Sequence, residues 1–423
     1  MGRSLLERDF VLTPTDRRTF LQHSTGLAAA VALTPELSAL EAVYRPPRAV
    51  TVAVIGGGPQ GREILAELAK FEDVEVAAVC ELDRRRQRRA LRRTKSAKGY
   101  DDWKKMLAAE TGVSGVFVAT PTHLHKEIAI SCLAAGKHVY CEAPMASSIE
   151  DLKEMARAAQ GAKTALQVGH PGRANPVYKL ARSFYRSGSI EDLVNMSAHW
   201  HRKLSWRVPS SDAKRAKELN WRLYKESSSG LPGEVGSHLV DALHWFTKKV
   251  PSRVHGLGST LLYEDGREIP DTVTCRFDFE GGQTMTFDAT LANSYGSTHA
   301  LLNGTMGTIK LAGRYGWLFK EADAPVQGWE VYANRQQFHD EQGITLIADA
   351  TKLAAQGKLK EGIGLPHPEL YYGIQRFLKT VAEGKPVACT AEDGLRAGAI
   401  AICAHKATLE NKTIEIGADL FKI

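Results

Sequence analysis

The 423-residue sequence predicts an α/β chain in two parts, a doubly wound parallel sheet followed by an α+β domain on an antiparallel or mixed sheet. Three observations carry that expectation. Up to about residue 169, short apolar runs alternate with helical patterns, as strands buried on both faces of a parallel sheet do. A glycine-rich loop joins the first such run to the first helix. Beyond residue 169, strand-like runs follow one another and the helical stretches are segregated from them. A chain of this length is long for one hydrophobic core and comfortable for two.

Thr51 to Ile55 is a nearly continuous apolar run that enters Gly56-Gly57-Gly58-Pro59-Gln60-Gly61 and a helical pattern from Arg62 to Phe71. Val74 to Cys80 reads as a second strand, ending at Glu81. Gly115 to Ala119 is a later strand, followed by Thr120-Pro121-Thr122 and a helix from His125 to Ala135. His138 to Cys141 leads into Glu142-Ala143-Pro144 and a helix from Ile149 to Gln160, and Leu166 to Val168 closes the set. In the second part Val194 to His201, Arg253 to Gly258, Thr272 to Phe279 and Thr284 to Ala289 read as strands. Gly281-Gly282 is the expected hairpin turn between the last two. The helical stretches Leu370 to Val381 and Gly394 to Leu409 are expected to pack back across one face.

Hydrophobic residues at 43% and charged residues at 24% fit a soluble globular protein. No run of 18 or more apolar residues occurs, so no membrane span is expected. The net charge of +7 is concentrated in Arg84 to Arg93, which reads as a solvated helix face. No nucleic-acid module surrounds it, and nucleic acid is excluded as a partner. Six cysteines (Cys80, Cys132, Cys141, Cys275, Cys389, Cys403) lie scattered, most of them in apolar runs. They form no CxxC pair or Cys/His cluster, so neither a disulfide framework nor a zinc site is predicted.

The glycine loop combines an apolar strand before it, a helix after it, and Glu81 twenty residues past Gly61. Gly56 allows the tight turn, Gly58 lets backbone approach a pyrophosphate, and Gly61 permits close helix–strand packing, with Pro59 and Gln60 between them. The helix N-terminus then faces the phosphates, as in a Rossmann dinucleotide site. Glu81 would accept the adenosine ribose hydroxyls and repel a 2′-phosphate, which favours NAD. The arginines from Arg84 onward argue the other way, for NADP. Thr120, Pro121 and His125 follow a strand at its carboxyl end, where ligands bind in such sheets. Either His125 packs and caps locally, or this loop touches the nicotinamide half of the cofactor.

Glu234 and His238 at i, i+4 share one helical face, with Asp241 a turn further on. A carboxylate beside an imidazole raises its basicity, and removal of hydride from a secondary alcohol needs such a base for the hydroxyl proton. A zinc reading of the same residues lacks a third ligand. Trp200-His201-Arg202, Trp206 and Asn220-Trp221-Arg222-Leu223-Tyr224 are dense in aromatics and polar groups. Aromatic faces stack on sugar rings while Arg and Asn bind hydroxyls, although tryptophans also serve as core or as oligomer interface.

The glycine loop, Ala119-Thr120-Pro121, His138 to Pro144, Gly236-Ser237-His238-Leu239-Val240-Asp241, and Gly384-Lys385-Pro386 with Thr390 to Gly394 together resemble the glucose–fructose oxidoreductase / inositol dehydrogenase / rhizopine catabolism (Gfo/Idh/MocA) family from about Val50 to Ile416. The resemblance implies a Rossmann domain and a second domain with an open, mostly antiparallel sheet. It also implies hydride chemistry on sugars, glycosides or cyclitols, a tightly held NAD(P), and a homo-oligomer, dimer or tetramer, formed through the outer sheet face. His238 matches the family's catalytic histidine, and Glu234 stands where aspartate is usual. Glu142 and Ala143 fall at the family's Glu-Lys-Pro tripeptide beside the cofactor. Its lysine, which hydrogen-bonds the reacting hydroxyl, is Ala143 here, leaving Arg173 or Tyr224 to replace it, or a different reaction. The NAD-dependent α-N-acetylgalactosaminidases look like relatives that also lack this lysine. Their implied route oxidises a ring hydroxyl, eliminates the glycosidic substituent, adds water and reduces the ketone again.

Asp16-Arg17-Arg18-Thr19-Phe20-Leu21 before the weakly apolar Ser24 to Leu33 resembles a twin-arginine export signal, with Gln22 where lysine is frequent. An ordinary amphipathic helix is the alternative. The expected division is a signal and arm at 1–48, the NAD(P)-binding domain at 49–169, and a substrate-binding and oligomerisation domain at 170–423. A periplasmic or otherwise exported location follows.

Overall fold

The apolar runs of the first part fold as β1 (Val50–Ile55), β2 (Val74–Cys80), β3 (Lys98–Tyr100), β4 (Gly115–Val118), β5 (His138–Glu142) and β6 (Leu166–Gly169). The structure is a computed structural model and describes residues 44–423. The twin-arginine pattern at Arg17 and Arg18 therefore lies outside the described residues. The six strands pair in parallel in the order β3-β2-β1-β4-β5-β6. Side chains alternate between two cores: Val52, Val54, Phe117 and Tyr140 face one, and Ala53, Ile55, Val118 and Cys141 the other. Both faces are covered, which explains the unbroken apolar runs. Chain order reverses between β1 and β4, opening a crevice at the strands' carboxyl ends.

The first helix begins three residues ahead of the expected Arg62, at Pro59–Leu68. Proline at its first position lacks only an N–H that no helix uses, and its ring fixes a helical φ. The arginine run forms the helix Arg84–Leu91, on which only Ala90 is buried, so it is a solvated face as read. Strand β3 and the helix Trp103–Ala109 escape the sequence reading, because both are short and weakly patterned.

The second sheet comprises β7 (Leu193–His201), β8 (Pro251–Ser259), β9 (Thr272–Phe279), β10 (Thr284–Thr290), β11 (Thr298–Gly304), β12 (Gly307–Ala312), β13 (Tyr315–Lys320), β14 (Arg335–Gln337), β15 (Gln342–Thr345) and β16 (Thr413–Glu415). Its order is β14-β15-β13-β12-β11-β7-β10-β9-β8-β16, with β7 and β10 parallel and the other pairs antiparallel. Gly281 and Gly282 take φ of +87° and +86° in the β9–β10 turn, where a side chain would be strained. Met196, Ala198 and Phe287 point to the inner, buried face, while His199 and Asp288 lie on the outer one.

The helices Glu369–Glu383 and Ala391–Glu410 pack back as expected, but they also reach the first domain. Phe377 meets Phe117 of β4 edge-on at 5.0 Å. On the other helix, a Cβ at Gly398 would stand 2.8 Å from Leu152, so the absence of a side chain is what permits that approach. Among the described residues no helix is long and apolar enough to cross a membrane, and all six cysteines are buried and free.

Candidate active site

A cavity of about 970 Å³ opens at the carboxyl ends of the parallel strands, with residues of the second domain forming its far wall. That volume lies at the upper end of small-molecule sites. Gly56, Gly58, Pro59 and Gln60 line it from the first loop, Glu81 from the end of β2, and Thr120, Pro121 and His125 from the loop after β4. Glu142 and Ala143 line it after β5, and Trp206, Trp221, Arg222, Glu234 and His238 come from the second domain. Gly61, Asp241, Arg173 and Tyr224 do not line it.

The glycine loop is shaped by contacts that a side chain would destroy. Gly56 has φ +105°, and a Cβ there would sit 2.4 Å from the carbonyl oxygen of Ala119. A Cβ on Gly61 would fall 1.8 Å from the Gly56 oxygen, so Gly61 is a packing residue. Gly58 differs, with nothing within 4 Å of its built Cβ, and the space it faces is the cavity. The helix that follows has no side-chain cap and no acidic residue in its first turn. Its leading N–H groups are therefore free to meet phosphate oxygens. Further along, the Thr120 hydroxyl is buried without a partner. An uncapped helix start, an open cradle at Gly58 and an orphaned hydroxyl in the cavity wall together fit a dinucleotide.

Glu81 braces this loop. One carboxylate oxygen accepts from the Gly57 N–H at 2.9 Å and the other from the Asp83 N–H at 2.9 Å. Each oxygen keeps a further lone pair for a ribose hydroxyl. Of the arginine run, Arg86 reaches the cavity, where burial holds its guanidinium below its ordinary value. Arg215 of the second domain joins it and pairs with Asp83 at 3.0 Å. Sequence reading missed Arg215, because nothing local ties it to Asp83.

His125 is 1% exposed. Its Nδ1 lies 3.0 Å from the Pro144 carbonyl and its Nε2 2.9 Å from that of Thr120. Burial pushes its pKa down to about 4, so the neutral ring donates to one of these two carbonyls only. Glu142, at the end of β5, is buried and accepts from the Gln60 amide at 3.0 Å. Burial pushes its carboxyl up to about 7.

The acid–histidine stretch differs from the expected single helical face. Pro232–Gly236 forms a π-helical turn, and the α-helix Ser237–Thr247 starts only after it. The wider turn changes the phase between Glu234 and His238, as such turns do at functional sites. Glu234 bonds instead with Thr122 at 3.3 Å and Ser228 at 3.3 Å, with Arg222 at 3.5 Å. Burial raises its pKa against the pull of Arg222. Asp241 does not serve His238 as expected. Both its oxygens are engaged by Arg173, at 2.7–3.1 Å, and Arg173 also pairs with Asp393 at 2.9 Å. Arg173 therefore ties elements together in the interior rather than offering itself to a substrate. Burial alone would raise the Asp241 carboxyl, but His170 and Arg173 outweigh it and hold it low.

His238 faces His170 across a T-shaped contact at 5.1 Å. Burial, reinforced by His170, pushes His238 down to about 3, the opposite of the raised basicity expected from its acidic neighbours. The ring is therefore neutral but weakly basic in the empty site, and takes a proton only from a hydroxyl made acidic as its hydride leaves. His170 was missed, although its place directly after β6 at the carboxyl edge was the available signal. Tyr224 lies outside the cavity wall with Lys217 over its ring at 5.6 Å, so it does not stand in for the lysine absent at Ala143.

Trp206, Trp221 and Arg222 form one wall. The Arg222 guanidinium stacks 4.3 Å from the Trp221 ring and 5.8 Å from that of Trp206. Such a surface offers an apolar face and fixed donors to a sugar ring.

Comparison with known proteins agrees with this architecture. Residues 50–170 match the model of the oxidoreductase family with an NAD-binding Rossmann fold, and residues 178–310 match the GFO/IDH/MocA C-terminal domain. The chain is 30% identical over 203 residues to 2,7-anhydro-N-acetylneuraminate hydratase of Escherichia coli (strain K12), covering 47% of this chain and 51% of that protein. It is 30% identical over 205 residues to a glycosyl hydrolase family 109 protein of Stenotrophomonas maltophilia (strain K279a), covering 44% and 42%. The chain thus spans about half the length of these curated relatives. Among solved structures, a levoglucosan dehydrogenase in complex with NADH shares the fold with a TM-score of 0.69 at 21% identity, covering 88% of this chain and all of that one. With both domains matched in order across the site just described, the chain belongs to the Gfo/Idh/MocA oxidoreductase family.

Proposed function

We propose that the protein is an NAD-dependent enzyme acting on a secondary alcohol of a sugar, glycoside or cyclitol, with His238 as general base. The observation that carries this is the half-buried His238 imidazole in the wall where the dinucleotide cradle meets the tryptophan surface. Bound at the glycine loop, the nicotinamide would accept hydride from the carbinol carbon. His238 takes the hydroxyl proton, Trp206 and Trp221 hold the ring face, and Arg222 donates to ring hydroxyls. Glu81 supports NAD over NADP, while Arg86 and Arg215 beside it are the groups a 2′-phosphate would use. The twin-arginine pattern supports export to the periplasm with cofactor already loaded. Assembly as a dimer or tetramer rests on the family resemblance alone.

A second reading is a redox-neutral glycoside hydrolase or lyase. Ala143 brings no donor to the reacting hydroxyl, and neither Arg173 nor Tyr224 replaces it. Next to Ala143 stands Glu142, whose carboxyl near 7 suits it to hand a proton back and forth during elimination and water addition. The names of the hydratase and glycosyl hydrolase relatives support this reading.

The test is to denature purified protein and assay the supernatant for NAD(H) and NADP(H), then incubate native protein with free sugars and aryl glycosides. Net reduction of added cofactor supports the first reading, and phenol release without net NADH supports the second. Absence of any bound or bindable nucleotide overturns both. His238→Ala is expected to lower kcat by about 10²-fold or more, and a variant at full turnover removes the base assignment.

A further inference from the structure

His199, His201 and Asp288 stand together on the outer face of the second sheet, apart from the cavity. Two histidines two residues apart on β7 leave the same side of the strand. β10 runs parallel beside it with Asp288 directly opposite His199. Nδ1 of His199 and Nε2 of His201 each lie 2.7 Å from the same Asp288 oxygen, Oδ2. The two rings are only 3.6 Å apart between centroids.

The hydrogen-bond accounting requires a positive centre here. Nε2 of His199 lies 3.2 Å from the Tyr295 carbonyl oxygen, which can only accept, so Nε2 carries the hydrogen. In the neutral ring Nδ1 then presents a lone pair, and it faces a carboxylate oxygen that also only accepts. Two acceptors 2.7 Å apart repel unless a proton or a metal ion lies between them. A divalent cation can take the place of that proton and engage all three side chains at once. The Tyr295 carbonyl is also the kind of outer partner that orients a metal-bound imidazole.

We propose that His199 Nδ1, His201 Nε2 and Asp288 Oδ2 bind a divalent transition-metal ion such as zinc. Their ligand atoms all lie within 4.8 Å of one another, a spread that a small shift of each ring closes around a tetrahedral ion. Two imidazoles with one carboxylate select zinc and its neighbours over magnesium or calcium, which prefer oxygen shells. The side chains are 17%, 21% and 39% exposed, which leaves the fourth position to water. His299 on β11 stacks 4.8 Å from His199, but its Nδ1 is directed at the Gly296 carbonyl, 3.1 Å away. It therefore flanks the site without joining it. A metal here would staple the end of β7 to β10, where the chain departs for the Trp206 loop.

The test uses the full chain without an affinity tag, stripped with chelator and freed of it. Zinc chloride is titrated calorimetrically, and cobalt(II) is added separately while its visible spectrum is recorded. One zinc per chain is expected, with cobalt bands of a four-coordinate site containing imidazole. His199→Ala and His201→Ala should each weaken zinc binding by more than the roughly 10- to 100-fold that loss of an outer partner costs, and His299→Gln should leave it intact. No stoichiometric zinc binding by the native chain overturns the proposal, as does undiminished binding in the double variant. An oxygen-only, octahedral cobalt spectrum of the native chain overturns it without recourse to any variant.

Discussion

Buried charge at the level of single residues is organised here around Arg173. Its guanidinium and the Asp241 carboxylate are 4% and 2% exposed, and Arg173 also pairs with Asp393 at the start of the last long helix. Removing one member of such a set leaves the others desolvated without full compensation, at a typical cost of about 3–5 kcal/mol. Asp241→Asn is expected to fall at the lower end, about 3 kcal/mol, because Asp393 still faces the arginine. Urea unfolding followed by far-UV circular dichroism measures it, and a loss under about 1 kcal/mol would show that the triad is not a structural brace. The same residues mark a limit of sequence reading. Asp241 lies three positions from His238, so local spacing assigned it to the histidine. Its actual partner is 68 residues away and could not be seen from periodicity.

The strand–loop–helix unit from Val50 to Leu68 separates folding from binding within one element. Gly61→Ala drives a methyl into the Gly56 carbonyl and must displace backbone, so a loss of about 1–3 kcal/mol is expected together with loss of dinucleotide binding. Gly58→Ala meets no protein atom within 4 Å and its φ of −63° suits alanine, so stability should hold or rise by under about 1 kcal/mol. Dinucleotide affinity should nonetheless fall by about tenfold or more, because the methyl enters the phosphate cradle. Thermal unfolding and fluorescence titration with NADH distinguish the two. Equal effects on stability would refute the division of roles. This unit was legible because strand, loop and helix are contiguous, and β2 matches its expected bounds, Val74–Cys80. Strands β11 to β15 were not: β14 and β15 are only 3 and 4 residues long, and no loop motif announces β11 to β13. The His199–His201–Asp288 cluster was hidden for a related reason. His201 was read only with its neighbouring tryptophans, and Asp288 joins it across 87 residues through the parallel pairing of β7 and β10, which sequence spacing does not disclose.

At the scale of the whole molecule, an ion pair links the two domains beside Glu81. Arg215, on the helix Ala213–Leu219, reaches Asp83 at 3.0 Å and Glu218 at 2.8 Å. Asp83 is itself fixed, since it accepts from the Arg85 and Arg86 N–H groups at the start of their helix. Those backbone bonds are the largest influence holding its carboxyl below the usual range, and Arg215 adds to them. The pair thus joins a rigid helix start in one domain to a helix of the other, with Glu81 and Arg86 beneath it. A cofactor bound beneath this bridge would be restrained by it, so the bridge should act on release more than on capture. A partly exposed pair of this kind is worth up to about 1 kcal/mol, which corresponds to about fivefold in rate. Arg215→Ala is therefore expected to speed NADH dissociation by about fivefold with little change in association, and Arg215→Lys to restore part of the difference. Stopped-flow displacement of bound NADH by excess NAD reads both rates. An unchanged dissociation rate would mean that the bridge forms without restraining the domains.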